Sequence, residues 1–159
     1  MLFRSLDDLK SSRRKGFAYE FDREKAEDAV EFIQEMPHTK GDWAARGELM
    51  VLEPWQCFII ACIFGWVHKK TGLRKYRKAY IEVPRKNGKS PLAAAIGHLM
   101  FVNDGEYGAE VYSGATTEKQ AWEVYRPAKL MAKNSPDFTY FYDLEVGAET
   151  MAVHAGGSR

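Results

Sequence analysis

Val83-Pro84-Arg85-Lys86-Asn87-Gly88-Lys89-Ser90 is the stretch on which the reading of this chain turns. Before it, Lys78-Ala79-Tyr80-Ile81-Glu82-Val83 predicts a strand. After it, the apolar run from Ser90 to about Val102 predicts a helix that Asn103-Asp104-Gly105 breaks. The stretch fits the last three positions of G-x-x-x-x-G-K-[ST], in the strand–turn–helix setting that this motif requires. In such a loop, backbone N–H groups and the helix N-terminus face phosphates, Lys89 sets a charge against the β and γ positions, and Ser90 ligates Mg²⁺. Two residues depart from the pattern. Val83 stands where the first glycine belongs, and Pro91 removes an N–H that usually faces the α-phosphate. From these residues alone, an ordinary basic turn is the alternative.

Working outward, residues 1–18 read as a loose basic arm. Asp22 caps a predicted helix from about Arg23 to Met36, with Ala26, Ala29, Val30, Ile33 and Met36 on one face. His38-Thr39-Lys40-Gly41-Asp42 reads as loop. Pro54 opens a helix predicted to run to about His68, with Gly72 beyond its end. Glu110-Val111-Tyr112-Ser113 predicts a short strand, and Thr117 with Gln120 forms a capping box for a helix to about Lys133. Tyr140 to Val146 and Met151 to His154 read as strands. The order strand, turn, helix, strand, helix predicts an α/β fold of three layers around a mostly parallel sheet, preceded by an N-terminal helical segment. The expected division is an arm and helix over 1–50 and an incomplete domain over 51–159. The end at Gly156-Gly157-Ser158-Arg159 reads as cut rather than finished.

The 159 residues are 45% hydrophobic and 28% charged, a globular composition that excludes a disordered chain. Cys57 and Cys62 lie in one helical run, which sets their Cα atoms about 8 Å apart, too far for a disulfide. Free thiols in a reducing compartment are the expectation. The longest apolar run, Cys57 to Val67, falls short of the roughly 18 residues of a membrane span, and the N-terminus has no signal-peptide pattern. A soluble, cytoplasmic protein is expected.

The net charge of +1 is unevenly placed. Residues 1–50 hold 9 basic and 11 acidic residues, and residues 91–159 hold 5 and 9. Residues 51–90 hold 9 basic against 2 acidic, so an anionic partner is expected there.

Two further motifs flank the loop: Glu53-Pro54-Trp55-Gln56 before it, and Tyr112-Ser113-Gly114-Ala115-Thr116-Thr117-Glu118-Lys119-Gln120-Ala121 after it. Together with V-P-R-K-N-G-K-S they resemble the N-terminal ATPase domain of the terminase large subunit of tailed double-stranded-DNA phages. The resemblance covers about residues 45–155. It implies a P-loop NTPase fold, ATP and Mg²⁺ as cofactors, and a loop in which Val83 and Arg85 are usual. It implies nucleotide contacts along Pro84, Arg85, Lys86, Asn87, Gly88, Lys89 and Ser90, with Lys89 and Arg85 catalytic and Ser90 on the metal. Gln56 resembles the adenine-contacting glutamine; a helix-surface glutamine is its alternative, as a solvated loop arginine is for Arg85. For the full-length family it implies ATP-driven translocation of viral DNA into the procapsid, DNA cutting, and a ring on the motor. The implied partners are double-stranded DNA, the portal protein and the small terminase subunit, in the host cytoplasm and transiently at the portal.

The family's second acidic motif, an apolar strand ending in Asp-Glu, has no counterpart. Tyr140-Phe141-Tyr142-Asp143-Leu144-Glu145 offers Asp143 alone, and a turn-flanking surface aspartate is the plainer reading. A truncated domain that binds nucleotide as a monomer without efficient turnover is therefore expected. In Lys69-Lys70-Thr71-Gly72-Leu73-Arg74-Lys75-Tyr76-Arg77-Lys78, Arg74, Lys75 and Arg77 are candidate DNA contacts, with a solvated turn as the alternative. His38, His68, His98 and His154 show no zinc spacing. Trp55, Phe58, Phe64 and Trp66 read as core. A non-catalytic nucleotide-binding or interaction module, or a small P-loop kinase, stays open.

Overall fold

The computed structural model describes the backbone of residues 2–153 and the side chains of residues 6–153; His154 and the segment 156–159 lie outside the described residues. In chain order come α1 (Leu2–Ser12), β1 (Tyr19–Phe21), α2 (Arg23–Gln34), α3 (Gly41–Ala45), α4 (Pro54–Gly65) and β2 (Trp66–His68). Then follow α5 (Lys89–His98), a π-helical turn (Leu99–Asn103), α6 (Glu118–Lys133), α7 (Pro136–Phe141), β3 (Leu144–Val146) and β4 (Met151–Val153). The described backbone gathers into two compact units, 2–32 with 51–82 and 33–50 with 83–153.

In the first unit, Asp22 caps α2 as expected, its Oδ1 accepting from the Lys25 N–H at 3.1 Å. Pro54 sits in the first turn of α4, and Glu53 and Gln56 close a reciprocal capping box. Cys57 and Cys62, both on α4, form no disulfide. The helix stops at Gly65, three residues before the predicted His68, because the backbone there has other partners. The Gly65 carbonyl accepts from the Asp22 N–H at 2.7 Å, and residues 66–68 pair antiparallel with β1. Phe21 and Trp66 face each other in that ladder with ring centroids 5.6 Å apart, the kind of aromatic pair that stabilises a short sheet. Residues 2–12 are helical, not a loose arm. Among the described side chains of α1, Leu6 and Leu9 are exposed, while the buried Asp8 carboxylate holds the Lys75 ammonium and the Tyr76 hydroxyl.

In the second unit, α5 lies against α6, burying Leu92, Ala94, Ala95, Ala128, Met131 and Ala132. Small residues on both helices permit the close approach. Thr117 caps α6, accepting from the Gln120 N–H, but the box does not close, because the Gln120 Oε1 accepts from the Thr116 hydroxyl at 2.6 Å; α6 ends at Lys133 as predicted. The chain from Met36 to Met50 closes into a loop through Met50 N–H to Met36 O at 2.8 Å and His38 N–H to Glu48 O at 2.9 Å. Pro136 starts α7 where a strand from Tyr140 was expected, so only Leu144–Val146 remains extended, paired antiparallel with β4.

The mixture of helix and strand fits the α/β class. The mostly parallel sheet does not appear: among the described residues the two sheets are two-stranded and antiparallel. Lys78–Val83 and Glu110–Ser113 are in no strand. Tyr80 and Tyr112 stand more than four-fifths exposed, so the β-formers in these segments have no sheet neighbour or core to pack on, and propensity alone makes no strand.

Candidate functional site

The phosphate-loop residues belong to the second unit. Two of them adopt left-handed backbone: Lys86 at φ +68° and Gly88 at φ +67°. At Gly88 a glycine carries this without strain; Lys86 holds it at a cost of about 1–3 kcal/mol, which is characteristic of functional loops. The Asn87 amide steadies the turn, donating to the carbonyls of Pro84 at 3.2 Å and Arg85 at 3.3 Å. Gly88 is the N-cap of α5, and no side chain caps that helix. The first helical bond here runs from Leu92 N–H to Gly88 O at 3.0 Å. The N–H groups of Lys89 and Ser90 thus lie ahead of the helical ladder, where an anion can accept from them, and Pro91 has none to give. The Lys89 ammonium reaches back across the loop to the Val83 carbonyl at 2.7 Å.

These residues open onto a cleft of about 270 Å³. Its lining includes the cations Lys40, Arg85, Lys86 and Lys89, the hydroxyl-bearing Thr39 and Ser90, and the Glu123 carboxylate from α6. The balance of charge favours an anion of phosphate type. Thr39, Lys40 and Glu123 were not singled out from the sequence. Thr39 and Lys40 arrive through the loop that Met36 and Met50 close, a pairing that no local motif announces.

Gln56 belongs to the first unit. It is buried, and its Oε1 accepts from the Glu53 N–H at 2.8 Å. The three candidate DNA contacts lie there too, in different circumstances. Lys75 sits within 5.1–5.5 Å of the ring centroids of Phe17, Tyr19, Trp66 and Tyr76, paired with Asp8. Arg74 lies over the Phe64 ring at 5.3 Å, whereas Arg77 is exposed. Asp143 occupies an exposed left-handed turn at φ +49° between α7 and β3. No group of three or more His, Cys, Asp or Glu able to hold a metal occurs among the described residues. No helix of the described residues is long and apolar enough to cross a membrane.

A larger cavity of about 830 Å³ lies elsewhere in the second unit, along α5, α6 and the segment 109–114. Its walls are mostly alanine, glycine and aromatic residues. The Tyr125 hydroxyl there is buried without a hydrogen-bond partner, and burial, with a smaller effect of Glu149, raises its pKa. The cations of the loop line the smaller cleft and not this cavity.

The family model of the terminase large subunit, ATPase domain, matches residues 54–152. Comparison with curated proteins returned no match, and comparison with solved structures returned none. The matched span contains Gln56, the loop from Val83 to Ser90 and Thr117. The chain belongs to the family of terminase large subunit ATPase domains.

Proposed function

We propose that this chain is the ATP-binding part of a phage DNA-packaging terminase large subunit. The observation that carries the reading is the left-handed Gly88 placing Lys89 and Ser90 at the open start of α5, beside a cleft lined by four cations. In this reading the loop from Pro84 through Arg85, Lys86, Asn87 and Gly88 wraps the phosphates. Lys89 leaves the Val83 carbonyl for the β and γ oxygens, and Arg85 senses the γ charge. The Ser90 hydroxyl suits Mg²⁺, a hard cation that prefers oxygen ligands and phosphate company. When bound, Mg²⁺ neutralises charge between the β- and γ-phosphates.

From the family resemblance alone, Gln56 is proposed as the adenine-contacting glutamine. Its amide oxygen already accepts from the Glu53 N–H, so the amide N–H₂ is the group left to donate to the base. The three-layer fold around a mostly parallel sheet is proposed from the family alone, since Lys78–Val83 and Glu110–Ser113 are in no strand. Coupling to DNA translocation, the portal and small-subunit partners, and residence in the host cytoplasm are likewise proposed from the family. No Asp-Glu strand occurs in the sequence, so turnover at a motor-like rate is not expected of this chain. Phosphate release measured at saturating ATP tests that statement: several turnovers per second would contradict it and make Asp143 the first residue to substitute.

A further inference from the structure

The topology of the first unit brings together two basic clusters that lie about fifty residues apart in sequence. Tyr19 pairs with His68, and the ladder continues one step further, from the Lys69 N–H to the Ala18 carbonyl at 2.9 Å. Arg13-Arg14-Lys15 leads into that end of β1 through a tight turn, in which the Phe17 N–H donates to Arg14 O at 3.3 Å. Lys69-Lys70 leaves the same end of β2 in a turn closed by Thr71 and Gly72 N–H groups on the His68 carbonyl. Lys25 of α2 borders that turn, its ammonium 3.4 Å from the Gly72 carbonyl.

Arg13, Arg14, Lys15, Lys69 and Lys70 are all exposed, and among the described residues none of them is ion-paired. Lys75 by contrast is held by Asp8 and four rings, so it has little to offer an external anion. We infer that these five residues form a docking surface for the phosphate backbone of duplex DNA, bound without regard to sequence. Five cations on two adjacent turns match a ligand whose anionic charges recur every few ångströms, as phosphodiesters do, better than they match a single carboxylate. Single-stranded DNA would call for exposed rings on which bases stack. The rings beside this patch, Phe17 and Tyr19, face the Lys75 ammonium instead. The choice of DNA among polyanions rests on the proposed terminase reading; the placement of the surface rests on the ladder.

The test is fluorescence anisotropy of the full chain with labelled duplexes of two unrelated sequences, and with one of the single strands, over a salt series. Three variants are compared with the parent: Arg13→Glu/Arg14→Glu/Lys15→Glu, Lys69→Glu/Lys70→Glu, and a charge-matched control on α6, Lys119→Glu/Lys133→Glu. The log–log salt slope is expected to be no steeper than about −4.5, at roughly 0.9 per phosphate contact. Each cluster variant is expected to flatten it by about 0.9 per reversed residue that makes such a contact, and to weaken binding more than tenfold. The control is expected to bind like the parent. The inference is overturned if the parent does not bind duplex, if either cluster variant binds like the parent, if the control loses as much, or if single strand binds tighter. ATP binding, measured on the same samples, is expected to be equal in all four proteins. Its absence from the parent would count against the nucleotide reading and leave the DNA comparison standing.

Discussion

The imidazole of His98 on α5 donates from Nε2 to the carbonyl oxygen of Ala128 on α6, at 2.8 Å, from a position 1% exposed. The edge of the Phe138 ring contact, 5.2 Å between centroids, covers the same side chain. Burial pushes the His98 pKa below its ordinary 6.5, and the bond to Ala128 only partly opposes that. The folded state therefore favours neutral His98. Its contribution is complete above about pH 6.5. Below that the unfolded chain takes up the proton first, and stability falls towards the lower folded-state pKa, by at most about 1.4 kcal/mol per pH unit. Urea unfolding from pH 7.5 to pH 5, with His98→Gln as comparison, is expected to show a steeper loss for the parent. Parallel curves would mean that His98 is solvated in the folded state.

Lys75 and Asp8 tie α1 to the rest of the first unit, with side chains only 18% and 11% exposed. Removing the Lys75 charge breaks a buried ion pair while the Tyr76 hydroxyl still donates to Asp8, and a broken buried pair costs about 3 kcal/mol. Lys75→Met is expected to lose that much in urea unfolding and to expose the α1 amides to hydrogen exchange. Adding Asp8→Asn to Lys75→Met is expected to recover part of it. A loss within about 0.5 kcal/mol for the single variant would show that the cage does not hold α1.

Elements signalled by a local device were legible in the sequence. Asp22, Pro54 and Thr117 each start a helix where the sequence placed it, because a cap acts within a few residues. The turn that leads into α5 was legible for the same reason, but the left-handed backbone at Gly88 was not foreseen. What depended on distant partners was not. Trp66–His68 leave the predicted helix because β1 lies 47 residues earlier, and Lys40 reaches the cleft only through the Met36–Met50 closure. Lys75 read as a candidate DNA contact or part of a solvated turn because its partner Asp8 and two of its four rings, Phe17 and Tyr19, are remote in sequence. Lys78–Val83 had the composition of a strand but no neighbour among the described residues to make it one.

Pro91 is where the loop departs from its own chemistry. Its ring suits the first turn of α5, yet it withholds an N–H from the α-phosphate position. A hydrogen bond to a charged acceptor is worth roughly 1.5–3 kcal/mol, part of which water recovers. Pro91→Thr is expected to bind ADP up to about tenfold tighter, 1.4 kcal/mol being a factor of ten. Thermal stability should change little. Calorimetry of both proteins with ADP decides; equal or weaker binding by the variant would mean that the α-phosphate is held elsewhere.

In the proposed function, Lys89 gives up the Val83 carbonyl to hold the phosphates of ATP. Equilibrium titration of labelled ATP into the parent and into Lys89→Ala, with and without Mg²⁺, tests it most directly. The parent is expected to bind, more tightly with Mg²⁺, and the variant at least about tenfold more weakly, the loss of one charge-assisted bond being roughly 1.5–3 kcal/mol. Because Lys89 is exposed and its bond to Val83 is a surface contact, both proteins should unfold at nearly the same temperature. Equal affinity of the two for ATP would contradict the account, and would leave Val83–Ser90 as a basic turn stapled by its own lysine.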